Sequence, residues 1–490
     1  MWLQIITITT IIVIVFIKWR LTYWKRKGVP YLEDTEFFFG NFRKIMQAKT
    51  SFSEGYLDFY NQFKRKGVKH GGIYSMLEPM YIPIDLNLIK HIMLKDFQYF
   101  FGHGFYYDKS ELLSMHLFNL EGDAWKELRS KLTPAFSSGK IKTMQDIFFT
   151  KCTILEKVIG KYSDNNKPAP FKDILSRFTI DIIGNVAFGI ECNSLEDSDC
   201  QFRFYGMKAL QVNFFNFFIT GIVPWSILRK IEFQQGASDV RDFFCKMVKE
   251  TVKCREDNNI VRKDFLQIML DLKKESSNKS LTIEEITAQC FIFFIGGFET
   301  SSTAMTCALF ELAQNLEIQE KLRQEIDSVL EKYNGEMSFD AIVEMSYLDK
   351  IVLETLRKYP PLGSIPRRCT KDYKIPDSNV IIDKGTMVWI PVWGIHKDPD
   401  YYPNPEIFDP ENFSEERKSK RPEFTYLPFG EGPKMCIGLR LGMLQTKIGL
   451  ITVIRKYKLT LNEKTELPMK IAKSVLLTLE GDVYLNAVRV

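Results

Sequence analysis

Ten residues near the C-terminus constrain this chain more than any other stretch: Phe429-Gly430-Glu431-Gly432-Pro433-Lys434-Met435-Cys436-Ile437-Gly438. One cysteine sits among three glycines, a phenylalanine and a cation, and an apolar helical pattern starts near Leu439. Glycine lets a backbone approach a flat ligand closely and take up conformations closed to other residues. A cysteine just ahead of a helix lies at its positive end, which favours the thiolate. A lone thiolate in such a loop suits the axial position of a haem iron. The alternative is an inert, buried cysteine beside a glycine-rich turn. The joint spacing of Phe429, Gly430, Gly432, Cys436 and Gly438 favours the ligand, since ordinary residue usage produces it in on the order of one chain in ten thousand.

The rest of the chain has to build a body around that loop. With 490 residues, two or three average domains or one large core are possible. Hydrophobic content of 45% with 26% charged residues is that of a globular protein and excludes disorder as the main state. A net charge of +5, without a basic block interleaved with aromatics, gives no footprint for nucleic acid. The nine cysteines are odd in number and scattered, with no zinc-ligand spacing, and the five histidines form no partner motif. Free thiols in a reducing compartment follow from this usage.

Met1 to Ile17 is apolar apart from Gln4 and three threonines, and Lys18, Trp19, Arg20, Trp24, Lys25, Arg26 and Lys27 follow. That is the short end of a bilayer span. A cleaved signal would need small residues at a cut site, where this chain has cations and tryptophans. The expected division is therefore an N-terminal transmembrane anchor over 1–20 and one catalytic body over 21–490. The positive flank predicts a cytosolic body, with the tryptophans at the interface.

Polar stretches at Ser163–Pro170, Glu191–Cys200 and Lys273–Ser280 read as loops between helices. Periodicity is mostly helical between Leu128 and Leu330, and β-like runs (Val380-Ile381-Ile382, Met387-Val388-Trp389-Ile390) come only after Ile365. The fold class expected is mainly α with a smaller β-rich part.

Three constellations carry chemistry. A long helix opens on the capping box Thr282-Ile283-Glu284-Glu285 and runs through Gly296-Gly297-Phe298-Glu299-Thr300 past Leu316. Adjacent glycines in a helix interior cost about 1 kcal/mol each against alanine, so something must need the space. Glu299 and Thr300 would place a carboxylate and a hydroxyl beside it, fit to relay protons; a kink with Thr300 bonded back to its own backbone is the alternative. Glu354 and Arg357 lie three apart on one helix face and can pair. Trp125 and Arg129 lie four apart on another helix, and both can donate to a carboxylate.

The cysteine loop resembles the haem-binding loop of cytochrome P-450 monooxygenases, and the Gly296–Thr300 stretch resembles their oxygen-activating helix. The likeness runs from anchor to C-terminus. Phrases such as HLFNLEGDAWKELRSKLTPAF and ETLRKYPPL look most like insect microsomal, xenobiotic-metabolising members. The resemblance implies the cytochrome P-450 fold and haem b with its iron on Cys436. It implies that Trp125, Arg129, Gly296, Gly297, Arg367, Phe429, Gly430, Lys434 and Gly438 bind the cofactor, the cations meeting its propionates. Glu299–Thr300 becomes the acid–alcohol pair, and Glu354–Arg357 a buried structural lock. The family completes that lock with an arginine in a proline-rich meander, where Phe408-Asp409-Pro410-Glu411-Asn412-Phe413 offers Asn412. Lys434 likewise stands where arginine is usual.

The function implied by the resemblance is insertion of one oxygen atom from O2 into apolar small molecules, xenobiotics or endogenous lipids and hormones. Electrons would come from an NADPH-dependent flavoprotein reductase, with cytochrome b5 as a further donor. The site would be the endoplasmic reticulum membrane, with Lys126, Lys131, Lys434 and Arg440 as the reductase-docking face. Substrate contacts are expected from Phe100–Leu120, from Phe214, Phe215, Phe217 and Phe218, from Phe294 and Phe298, and from Leu362–Pro366; aromatic rows at helical spacing fit a core equally well. Two rival readings stay open: a peroxide-rearranging haem-thiolate isomerase or dehydratase, and a non-catalytic membrane haem carrier.

Overall fold

A computed structural model describes the chain apart from residues 212–215, 217, 218, 222 and 276–280. It opens with α1 (Trp2–Leu21), whose apolar side chains are almost all exposed and whose mean hydropathy reaches 2.0. Twenty residues at 1.5 Å rise match a hydrocarbon layer of about 30 Å. Arg20 closes the helix with an ion pair to Glu78 at 2.5 Å, tying α1 to the body. Trp19 stays exposed, but Trp24 is fully buried against Gly72, and its indole N–H donates to the Ile73 carbonyl at 3.0 Å. The interfacial role expected for Trp24 is thus corrected: it is a core residue of the first sheet.

Eight further helices matter for the site: α2 (Phe52–Arg65), α3 (Gly122–Leu132), α4 (Gln145–Asp164), α5 (Phe171–Phe188), α6 (Ser238–Asp257), α7 (Ile283–Gln314), α8 (Leu316–Lys332) and α9 (Ser346–Lys358). The cysteine loop then leads into α10 (Leu439–Lys456). The strands are β1 (His70–Ser75), β2 (Glu78–Pro83), β3 (Ala169–Pro170), β4 (Ile365–Arg368), β5 (Tyr373–Lys374), β6 (Ile381–Ile382), β7 (Met387–Ile390), β8 (Tyr457–Leu461) and β9 (Tyr484–Arg489). They form three sheets, ordered β1-β2-β7-β4, β3-β9-β8 and β5-β6.

The mainly α architecture with a smaller β part matches the expectation, with one addition. Strands do not wait for Ile365: the β1–β2 hairpin pairs His70 with Pro83, and β2 lies parallel to β7 with Met80 beside Met387. Glycines in β1 and prolines in β2 break the alternation that would have announced them. Two apolar cores result, one among the helices and one between α2 and the first sheet.

The long helix α7 crosses the helical core and packs on α5, α6, α9 and α10. The Thr282 hydroxyl accepts the Glu285 N–H while the Glu285 carboxylate accepts the Thr282 N–H, the expected capping box. Side chains are buried on every face for most of its length, which a helix apolar all round requires.

Candidate functional site

The cysteine loop is shaped by its backbone. Gly432 has φ +76, and a side chain there would run into the Met93 carbonyl, so only glycine fits. The Gly430 N–H donates to Leu427 O at 3.0 Å and the Cys436 N–H to Phe429 O at 2.9 Å, folding the loop back on itself. Cys436 thus stands just ahead of α10. Cys436 keeps an exposed surface, although the protein around it desolvates the thiol. Burial pushes its thiol up, while the Gly438 N–H and the Arg129 cation pull it down.

Helix α7 packs beside α10. Gly442 of α10 lies against the Ser301 hydroxyl, 3.8 Å from a built Cβ, which brings the start of α10 to the Gly296–Ser301 turn. The two glycines divide in role. Gly296 is exposed in mid-helix, with no atom within 4 Å of where a Cβ would stand. Gly297 faces Ile183 of α5, whose side chain would lie 2.9 Å from such a Cβ. The sequence alone turns both toward a cofactor; Gly297 instead lets two helices approach. Thr300 donates its hydroxyl to the Gly296 carbonyl at 2.7 Å, leaving its oxygen able to accept on the open face. The adjoining Glu299 is buried, which raises its carboxyl above the usual range against a partial offset from Lys172.

Around the loop gather three cations, Arg367, Lys434 and Arg129, without an ion pair among the described residues. Arg367 on β4 is fully buried; its Nη1 donates to Pro366 O at 2.9 Å, while Nε and Nη2 have no partner among the described residues. Burial lowers it to about 10. Lys434 is 8% exposed, donates to Leu120 O at 3.0 Å and lies 4.9 Å from the Trp125 ring centre. Burial first, then the nearby Arg367, push it down to about 7. Arg129 donates to Met435 O at 2.9 Å from α3. Buried positive charge of this kind calls for an anion. An open sulfur, a helix stripped of side-chain bulk at Gly296 and a set of anion-seeking donors fit a flat, dianionic group gripped at its centre by sulfur.

Lys434 therefore leaves the reductase-docking set: it is interior, whereas Lys126 and Arg440 are exposed and Lys131 pairs with Glu127 at 2.7 Å. Phe294 and Phe298 are fully buried and stack at 4.8 Å, with Phe294 also against Phe188, Phe202 and Phe244, so they build core. Phe214, Phe215, Phe217 and Phe218 lie outside the described residues.

Glu354 and Arg357 are both fully buried on α9. Arg357 Nε and Nη2 each donate to a Glu354 oxygen at 2.8 Å, a two-pronged pair, and further bonds reach His396 O at 3.0 Å and Ile407 O at 3.3 Å. Asn412 does fill the third place: its Nδ2 donates to Glu354 Oε1 at 3.2 Å, beside the Asp409 N–H at 3.0 Å. A surface cation, Arg417, reaches Asp409 at 2.5 Å and the Asn412 side-chain oxygen at 3.4 Å.

Three residues carry no signal in the sequence. His103 is buried beside Arg367 and Lys434, its Nδ1 2.7 Å from Phe118 O and its ring stacked on Phe118 at 4.0 Å. Gln289 on α7 accepts the Leu117 N–H at 2.9 Å and donates to Met115 O at 3.0 Å, pinning the 100–120 loop. His396 joins α9 to the cysteine loop through Arg357 O and the Leu427 N–H. Each acts on backbone groups distant in sequence, so no local spacing betrays it.

A family model for cytochrome P450 matches residues 31–487. Cytochrome P450 6A1 of Musca domestica is 41% identical over 483 residues, covering 96% of this chain and 94% of that protein. Probable cytochrome P450 6a14 and probable cytochrome P450 6a23 of Drosophila melanogaster are 40% and 39% identical, covering 96% and 95% of this chain and 96% and 95% of theirs.

Proposed function

This chain belongs to the cytochrome P450 family and is a haem-thiolate monooxygenase; from that premise we propose that Cys436 is its iron ligand, with haem b as the group it holds. The observation that carries the reading is an exposed sulfur in a glycine-shaped loop whose Lys434 lies desolvated beside Arg367, a buried cation with two nitrogens unpartnered among the described residues. Arg367, Lys434 and Arg129 would hold the propionates, with Trp125 beneath Lys434 and Phe429, Gly430 and Gly438 shaping the loop around the sulfur. The bound haem supplies oxygen binding and activation, helped by electron donation from the thiolate.

The protein's own share is positioning and proton handling. Gly296 leaves room along α7, and Thr300, its proton held by the Gly296 carbonyl, offers an acceptor that orients water there. Glu299, its carboxyl raised above the usual range by burial, would refill that water with protons. This acid–alcohol pair favours oxygen insertion over peroxide rearrangement, which needs no proton delivery, and over a haem carrier, which needs neither group. The substrate class is apolar small molecules. Electrons come from an NADPH-dependent flavoprotein reductase and cytochrome b5, docking near Lys126 and Arg440. The exposed α1 would anchor the protein in the endoplasmic reticulum membrane, its cationic end facing the cytosol.

Carbon monoxide added to the reduced protein gives the test. Wild type is expected to show the strongly red-shifted Soret band of thiolate ligation and Cys436→Ser to lack it; an identical spectrum in both removes Cys436 from the iron. For the relay, Thr300→Ala is expected to consume NADPH with product yield reduced about tenfold or more. Turnover that stays fully coupled would leave that hydroxyl without a role.

A further inference from the structure

His396 is fully buried at the end of a short helical turn, Val392–His396, and both of its ring nitrogens are engaged. Nδ1 lies 3.1 Å from the Arg357 carbonyl oxygen, which only accepts, so Nδ1 carries the proton. Nε2 lies 2.8 Å from the Leu427 N–H, which only donates, so Nε2 is the bare acceptor. The surroundings fix one tautomer. Burial and the adjacent Arg357 cation hold the ring neutral, down to about 3. The contact with Arg357 is reciprocal, since the Arg357 guanidinium donates back to the His396 carbonyl at 3.0 Å. Tyr426 lies flat against the imidazole, ring centres 5.4 Å apart, and donates its own hydroxyl to Leu353 O at 3.0 Å.

Leu427 is where the cysteine loop begins. Its N–H is held by His396 and its carbonyl accepts the Gly430 N–H, and two residues on, Phe429 O takes the Cys436 N–H. A continuous set of bonds therefore leads from the Glu354–Arg357 pair through one imidazole to the backbone that carries the sulfur. We propose that His396 is a positioning residue for the iron ligand: a neutral, tautomer-fixed strut that transmits the rigidity of the α9 ion pair to the cysteine loop and holds Cys436 in its ligating position. The job needs a side chain that reaches both backbone groups and accepts at the Leu427 end, which the fixed imidazole tautomer does across a rigid ring.

This inference rests on Cys436 being the iron ligand. The holoenzyme is reduced, treated with carbon monoxide, and followed at a temperature where the far-ultraviolet dichroism remains native. In His396→Leu the Leu427 N–H loses its acceptor, and the red-shifted band should give way to the band of a displaced thiolate about tenfold faster than in wild type. His396→Gln, whose amide oxygen extends to where Nε2 stood, should restore most of the lifetime; a role confined to general packing would favour Leu at least as much as Gln. A wild-type lifetime in His396→Leu overturns the proposal while leaving Cys436 as ligand, whereas a wild type with no red-shifted band overturns the ligand itself. Should His396→Leu not accumulate, His396→Asn replaces it: its shorter amide serves the Arg357 side only, so it must lose the band faster than His396→Gln. Equal or reversed lifetimes overturn the strut.

Discussion

Arg357 and Arg367 are both guanidinium groups without any exposed surface, on successive elements flanking the same site, and the protein treats them in opposite ways. Every nitrogen of Arg357 is matched, by both oxygens of Glu354 and by the carbonyls of His396 and Ile407. Arg367 has one carbonyl, its own neighbour's, and two nitrogens left over among the described residues. Leaving a buried charge unpaired is costly, and folded chains seldom tolerate it without a reason. A closed polar set is architecture, because nothing further can bind to it. An open set of the same chemistry is a receptor, because its stabilisation is deferred to a ligand of opposite charge. Lys434, desolvated and pushed down to about 7, belongs with Arg367.

The sharpest way to break this comparison is to open the closed set. Glu354→Gln leaves the Arg357 cation buried without its carboxylate, and about 3–5 kcal/mol of folding stability should be lost. Denaturant unfolding of the haem-loaded protein reads this directly. A loss under about 1 kcal/mol would mean that the pair is incidental, as surface pairs usually are. The opposite behaviour is expected of the open set. Arg367→Met removes a buried cation with no ion-pair partner among the described residues, so the haem-free protein should be unchanged within about 1 kcal/mol or become more stable. Haem transfer to a scavenger protein should meanwhile accelerate about 10- to 100-fold, the worth of one charge-assisted contact. A destabilised haem-free protein with unaltered haem retention would place Arg367 with Arg357 as architecture.

Legibility in the sequence followed the range of the interactions. The cysteine loop, the capped 283–314 helix, the Glu354–Arg357 pair and the late strands at 381–382 and 387–390 all announce themselves through spacings of a few residues. Those spacings map directly onto turn, helix and strand geometry. Trp24 could not be read this way: beside cations it looks interfacial, and only the approach of Gly72 makes it a core residue. Gly296 and Gly297 are identical letters, and which one faces open space depends on where α5 packs. His103, Gln289 and His396 act through backbone partners supplied by other elements, so the fold must exist before their roles do. The α9 pair was legible as a pair, and the 408–413 stretch offered Asn412 as its neutral third member; that Arg417 would reach the same amide from the surface was not legible.

Asn412 tests how complete the closed set has to be. Its amide donates to Glu354 from within the core, and its oxygen faces Arg417, a half-exposed cation anchored on Asp409. Charge is thus kept outside and passed inward through a neutral group, which avoids desolvating a second guanidinium. Asn412→Ala removes one of the contacts to Glu354 Oε1, which keeps the Asp409 N–H and Arg357. The carboxylate is not orphaned, so the cost should be about 1 kcal/mol, well below that of Glu354→Gln. Arg417→Ala, acting at the surface, should cost less still, under about 0.5 kcal/mol, and lose even that in high salt. Equal losses in Asn412→Ala and Glu354→Gln, measured by the same denaturant unfolding, would show that the amide carries the lock and the guanidinium only follows.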